Sequence, residues 1–373
     1  MNVVFASVHC CIRVVKEGLA LAKKGINVHF LQERFANDYF PGVLPTCSFY
    51  TGPEQYMAKL KRMEGIDIIH VHNEPDWVGK LAKQARPDIP VIFDAHDLNS
   101  ARKGICSDDE ADSFAMCDGF VYPSQEYMDH ATSWHNVKKP QIVLHSKCIK
   151  EFTEIAPLPR MGGLVYQGGL GVSQVDGGMS YDYRDYRRLA TTLTNLKVPL
   201  TLISATQMIQ GAYGATGALV IYPLHYLQLL QTLSRFDWGL CASPVRSTQW
   251  DWAMPNKLFE YLAAGIPVMV YQAAACAKFV EEHKVGIVVE KLQDVPKMLG
   301  YHHEFRKKVE KKRKDFLIED EIHKLLTLYQ EVLNAGSRRA GEGDQSSVLQ
   351  VPTESSGEGG DVQGVSGAPP SAT

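Results

Sequence analysis

Lys257 and Glu260 stand three residues apart in the run Met254-Pro255-Asn256-Lys257-Leu258-Phe259-Glu260-Tyr261. Residues at that spacing share one helix face, so a cation and a carboxylate are presented together near a helix start. Such a pair suits a ligand carrying both an anionic diphosphate and a vicinal diol. The ammonium neutralises phosphate charge, and the two carboxylate oxygens accept from two hydroxyls. The bland alternative is a solvated surface pair. Ser243-Pro244-Val245-Arg246 ahead of the run reads as a loop leaving a strand, and Pro255-Asn256 as the helix lead-in. Ala263-Ala264-Gly265-Ile266-Pro267-Val268 after it reads as a helix end, a Gly stop and a buried strand.

The elements that must position this pair form a repeating pattern. Strands are expected at Val3–Val8, Asn27–Gln32, Ile66–His72, Pro90–Ala95 and Gly119–Pro123, with helices at Val14–Lys24 and around Asp76–Arg86. The strands are continuous apolar runs rather than alternating ones, which indicates parallel sheets covered on both faces. Pro157-Leu158-Pro159-Arg160-Met161-Gly162-Gly163 interrupts the pattern and reads as a linker. The pattern then restarts with strands at Leu164–Gln167, Pro199–Ser204, Leu219–Tyr222, Trp238–Ala242, Pro267–Tyr271 and Val285–Val289, and helices at Tyr186–Leu196 and Leu227–Phe236. The expected organisation is an α/β chain of two Rossmann-like, doubly wound domains facing a cleft, 1–156 and 164–304, followed by a helical segment 305–335. Residues 336–373 turn to Gly, Ser, Glu, Gln and Pro, a composition expected to stay disordered.

Composition bounds the function. A chain of 373 residues with 45% hydrophobic and 22% charged residues is ordinary soluble protein of two-domain size. A net charge of −3 gives no field for nucleic acid, and no apolar run is long enough to cross a bilayer. The opening Asn2-Val3-Val4-Phe5-Ala6 reads as a strand, so no signal peptide is expected. The eight cysteines form no Cys-x-x-Cys pair, so reduced cytoplasmic thiols and no metal centre are expected. The basic run 306–314 is either a solvated helix face or a weak contact to the inner face of a membrane.

The stretch 243–268 resembles the retaining GT-B glycosyltransferases, most closely glycosyltransferase family four. Supporting matches are Leu164-Val165-Tyr166-Gln167-Gly168-Gly169-Leu170, Phe236-Asp237-Trp238-Gly239-Leu240, Asp67-Ile68-Ile69-His70-Val71-His72 and Phe93-Asp94-Ala95-His96-Asp97. The resemblance covers about residues 1–335. It implies a sugar-nucleotide donor (UDP-, GDP- or ADP-sugar) held by the second domain, no further cofactor, and transfer with retention to a glycan, lipid-linked glycan or small molecule. By the same resemblance Glu260 binds the ribose diol, and Lys257 binds phosphate. Gly168 and Gly169 admit backbone N–H groups to the diphosphate, although they could equally form a plain tight turn. Arg246, Asp251, Pro255 and Asn256 complete the donor side. Arg184, Arg187 and Arg188 either add positive charge there or belong to a surface helix.

His96 matches the family's cleft histidine, where a neutral imidazole would hydrogen-bond a sugar hydroxyl or orient the acceptor. His9, Arg13 and Asp94 fall on the acceptor side. One departure stands out: the family's first motif glutamate is Trp252 here. The cluster Trp250-Asp251-Trp252 either stacks a sugar face or packs a loop. Two rival readings stay open, a sugar-nucleotide epimerase on the same scaffold and a catalytically silent nucleotide-sugar-binding partner subunit.

Overall fold

A computed structural model of the chain describes residues 1–33, 46–172, 184–204 and 210–343. The first sheet contains β1 (Asn2–Ser7), β2 (Asn27–Glu33), β3 (Cys47–Tyr50), β4 (Ile68–His72), β5 (Val91–Asp94), β6 (Gly119–Tyr122) and β7 (Gln141–Val143), ordered β3-β2-β1-β4-β5-β6-β7. The second contains β8 (Leu164–Gly168), β9 (Leu200–Ser204), β10 (Leu219–Ile221), β11 (Trp238–Ala242), β12 (Val268–Tyr271) and β13 (Gly286–Val288), ordered β10-β9-β8-β11-β12-β13. Every pairing in both sheets is parallel. Helices cover both faces, so β4, β5, β6, β9 and β11 are buried along their whole length, as continuous apolar strands require.

Register decides what meets at the strand ends. Ser7 pairs with His72, and His72 with Asp94, so β1, β4 and β5 finish on one line. Gly168 pairs with Ser204 at the ends of β8 and β9. Each strand order reverses once, between β1 and β4 and between β8 and β11, and ligands bind beyond the carboxyl ends at such switch points.

The helix Asn256–Ala263 follows Pro255 and stops at Gly265, whose φ of +76° is the left-handed conformation that glycine adopts without strain. It packs on β11 through Gly239, where an added Cβ would lie 2.2 Å from the Tyr261 ring. Only glycine permits that approach. Tyr261 then receives the Gln167 N–H at 3.0 Å and donates to the Leu240 carbonyl at 3.3 Å, locking the helix against β8 and β11.

Several expectations change. Short strands β3 and β7 lie at the two edges of the first sheet and carry no long apolar run. The helical segment is two helices, His302–Lys312 and Ile318–Gly343, broken by a 3-10 turn at Arg313–Asp315. The second helix passes Gly336, where the tail was expected to start; residues 344–373 lie outside the described residues. Its buried Leu325, Leu328 and Tyr329 join a core cluster that contains Phe5, Phe30 and Ile92 of the first sheet. Within the basic run, Arg306 donates to the Phe236 carbonyl, Lys312 to His283 and Arg313 to Ala263. Those three cations hold the segment to the second domain rather than forming an unbroken solvated stripe. No helix among the described residues is long and apolar enough to cross a membrane.

Candidate active site

A cavity of about 480 Å³ opens where the carboxyl ends of both sheets face each other. Its first-domain wall comes from the segments after β1, β4 and β5, with Cys11, Arg13, Glu74, His96 and Asp97. Its second-domain wall comes from the segments after β8 and β11, with Gln167, Gly168, Gly169, Arg184, Trp250, Pro255, Asn256, Lys257 and Glu260. Clefts of this size accept nucleotide-sized ligands.

Lys257 is 7% exposed and Glu260 2%, so the solvated pair is excluded. The Lys257 ammonium lies 3.9 Å from the centroid of the Tyr166 ring and 5.2 Å from that of Trp250. Among the described residues it has neither a hydrogen-bond acceptor nor a carboxylate within ion-pair distance. A Cβ on Gly168 would come within 3.2 Å of its Nζ, and Gly168 has φ +135°. The turn thus needs glycine twice, for conformation and for room. Glu260 accepts from the Gln167 amide and from the Tyr226 hydroxyl, the latter at 3.2 Å. Burial pushes its carboxyl above the usual range, against the lowering pull of Lys16, the two hydrogen bonds and Lys257. Arg184 reaches the same wall beside Gly169, whose Cβ would lie 2.8 Å from its Nη1. Arg187 pairs with Asp185 and Arg188 is exposed; neither lines the cavity.

Across the cleft the charges interlock. Arg13 is 2% exposed and grips Asp94 through Nε to Oδ2 at 3.0 Å and Nη2 to Oδ1 at 3.1 Å. It also donates to the Leu144 carbonyl and the Ser146 hydroxyl, and its Nε lies 3.0 Å from Glu17. Burial works against the Asp94 charge, but Arg13 and His96 hold its carboxyl well below the usual range. Burial likewise opposes charge on His96, and Asp94 and Cys11 override it, raising His96 to about 10. His96 is therefore an imidazolium with both nitrogens engaged, Nε2 with His72 Nδ1 at 3.1 Å and Nδ1 toward Cys11 Sγ at 3.8 Å. The neutral imidazole expected at His96 is corrected accordingly. His72 itself is lowered to about 4, chiefly by burial, and stays neutral.

The structure brings His96, Arg13, Gly168, Gly169, Pro255, Asn256, Lys257 and Glu260 to one cavity. It places the others elsewhere. His9 is exposed beyond β1, because the chain turns there to put Cys11 inward. Arg246 is exposed on the loop after β11. Asp251 lies outside the lining, and Asp94 sits behind it under Arg13. Trp252, at the missing glutamate position, packs 6.2 Å from Tyr127 and 5.0 Å from His130 of the first domain, ring centroid to centroid. Trp252 is loop packing, while Trp250 faces the cavity.

Among the described residues two groups of potential metal ligands have their donor atoms within 4.8 Å of one another, Glu17/His70/His72/Asp94 and Cys106/Glu110/His135. In the first, Arg13 pairs with Asp94 in two hydrogen bonds, and burial pushes the Glu17 carboxyl well above its usual range. In the second, Glu110 pairs with His135 at 3.0 Å and accepts from the Ser100 N–H.

Sequence reasoning missed Lys16. Fully buried, it donates to the Ser146 carbonyl and, at 2.8 Å, to Asn256 Oδ1 in the second domain. The available signal was a second cation one turn from Arg13 on the apolar face of the Ile12–Lys23 helix. Gln249 and Asp97 form a second link between the domains, at 2.7 Å.

Residues 14–146 match the sequence profile of Glycosyltransferase Family 4, and residues 224–311 match that of the glucosyltransferase 3-like C-terminal domain. No curated protein sequence matches closely enough to count as a relative. Among solved structures the chain is similar to sucrose-phosphate synthase from Thermosynechococcus elongatus, with TM-score 0.67, 14% identity, and 90% of this chain and 100% of that one covered. It is also similar to a glycosyltransferase involved in avilamycin A biosynthesis, with TM-score 0.58, 14% identity, and 90% and 98% covered. A third likeness is to an α-glucosyltransferase in complex with UDP-glucose and DNA containing an abasic site, with TM-score 0.56, 10% identity, and 92% and 98% covered. At these identities the likeness is one of fold. Two parallel-sheet domains with a cleft at their switch points give the chain the GT-B fold, and within it residues 14–146 are similar to Glycosyltransferase Family 4.

Proposed function

We propose that this protein transfers a sugar, with retention and without a metal, from a nucleoside-diphosphate sugar to an acceptor hydroxyl. One observation carries the reading: a buried ammonium, Lys257, faces a left-handed glycine turn and two aromatic rings, with no carboxylate among the described residues within ion-pair distance. A buried cation without a counter-charge is costly, and a diphosphate seated at the Gly168-Gly169 turn supplies the missing charge. Arg184 and the backbone N–H groups there add to the same potential. Glu260, deeper in the wall, receives the ribose diol in exchange for its bonds to Gln167 and Tyr226. A UDP-glucose complex of a structural neighbour supports a nucleotide-sugar donor.

Charge on the diphosphate grows as the glycosidic bond breaks, so fixed cations stabilise the transition state more than the ground state. The imidazolium of His96 and the Asp97 carboxyl, which burial pushes up to about 6, face this region from the first domain. They set the polarity met by the sugar and the acceptor. The test is a thermal-shift series with UDP, GDP, ADP and their sugars, followed by incubation of the best donor without acceptor. A raised melting temperature with one base, and slow hydrolysis without a new sugar nucleotide, is expected. No shift with any nucleotide refutes the reading; an epimerised donor replaces it with an epimerase.

A further inference from the structure

Cys11 is the N-cap of the Ile12–Lys23 helix and lines the cavity, partly exposed, beside His96. Its sulfur lies 3.8 Å from His96 Nδ1, and the other ring nitrogen, Nε2, lies 3.6 Å from Asp94 Oδ2. Cysteine, imidazole and carboxylate therefore stand in series, with Arg13 fixing the carboxylate and a helix N-terminus beneath the sulfur. This is the environment that stabilises a thiolate: an adjacent imidazolium, a helix dipole and an accessible face. We propose that Cys11 is a thiolate modification site, the residue at which hydrogen peroxide and small electrophiles react with this protein.

The surrounding charges agree with the assignment. From the helix side the cavity receives Arg13, held by Asp94 and Glu17. From β4 and the segment after β5 come the neutral His72 and the charged His96. Burial alone would push the Cys11 thiol up, but His96 and the backbone N–H groups of Val14 and Arg13 bring it below the ordinary value. Burial pushes Cys106, Cys117, Cys148 and Cys241 the other way.

With peroxide the thiolate attacks one oxygen, the O–O bond breaks and hydroxide leaves, so sulfur is oxidised to sulfenic acid as peroxide is reduced. A thiol reagent such as dithiothreitol reverses it through a disulfide. With iodoacetamide an S–C bond forms and iodide leaves. Either product adds bulk to the wall opposite Lys257 and Gly168. The consequence, a cleft closed to nucleotide, rests on the donor reading above; the thiolate itself does not.

The experiment alkylates the full-length chain with iodoacetamide from pH 6 to 9 and follows each cysteine by peptide mass spectrometry. At pH 7 Cys11 is expected to react about tenfold faster than Cys106, which is also partly exposed, with its pH profile displaced to lower pH. In His96→Asn the Cys11 rate should fall about tenfold while Cys106 is unchanged. Equal rates and coincident profiles for Cys11 and Cys106 in the wild-type chain overturn the proposal, and that comparison needs no variant to fold. In a second arm peroxide should abolish the nucleotide thermal shift, dithiothreitol should restore it, and Cys11→Ser should be indifferent to peroxide. A shift that survives stoichiometric Cys11 oxidation overturns the closing of the cleft. Absence of any shift before oxidation counts against the donor reading alone, since the labelling arm still judges the thiolate.

Discussion

On the first-domain wall of the cleft, Arg13, Asp94, Glu17, His72 and His96 are linked to one another at hydrogen-bond or ion-pair distances and leave little charge unanswered. On the second-domain wall, Lys257 faces two rings and a glycine turn. Both walls are buried and both carry a cation at their centre, yet among the described residues Lys257 of the second wall has no carboxylate within ion-pair distance, whereas Arg13 of the first is held by Asp94. In the proposed function the contrast divides the labour: an interlocked wall fixes geometry, and an open one receives the diphosphate.

The largest expected effect on activity tests the open wall. Lys257→Ala should lower the transfer rate by about two to three decades, on the order of 3–4 kcal/mol of transition-state stabilisation, with circular dichroism and melting temperature near wild type. Full turnover would erase the contrast. Asp94→Ala should do the reverse, destabilising the fold by about 3–5 kcal/mol in urea titration because it leaves the Arg13 charge buried and unpaired. A wild-type midpoint there would mean that the first wall is not interlocked as described. Glu260→Gln keeps the size and removes the charge, so nucleotide affinity by calorimetry should fall by about 1.5–3 kcal/mol, the usual range for hydrogen bonds to a charged group. An unaltered Kd would move the ribose elsewhere.

The smallest effect is a slope. The folded-state pKa of His96, about 10, lies above its unfolded value of about 6.5. Its contribution to stability is thus complete below pH 6.5 and disappears as pH rises toward 10. The stability difference between wild type and His96→Asn should narrow across that window; a constant difference would show that the imidazolium is not fixed by Asp94 and Cys11.

Much of the fold was legible because parallel strands buried on both faces are continuous apolar runs, as Ile68–His72 and Trp238–Ala242 are. Edge strands β3 and β7 were not, since each is short and one-sided. The Lys257/Glu260 pair was legible from spacing, whereas Trp252 could be read as sugar platform or packing until its neighbours Tyr127 and His130 were in place. Lys16 escaped notice because charged residues are seldom fully buried.

The sequence by itself determined two successive βα repeats, the helix that carries Lys257 and Glu260, and the glycines on which that helix and its facing turn depend. Spacing and side-chain volume are local properties, so they survive without coordinates. Tertiary structure alone decided the charge state of His96, the capture of Arg13 by Asp94 across 81 residues of chain, and the bond between His70 and Tyr329 across 259. Those depend on which groups share a dry space, and a titratable group's charge follows its surroundings in three dimensions rather than its neighbours in sequence.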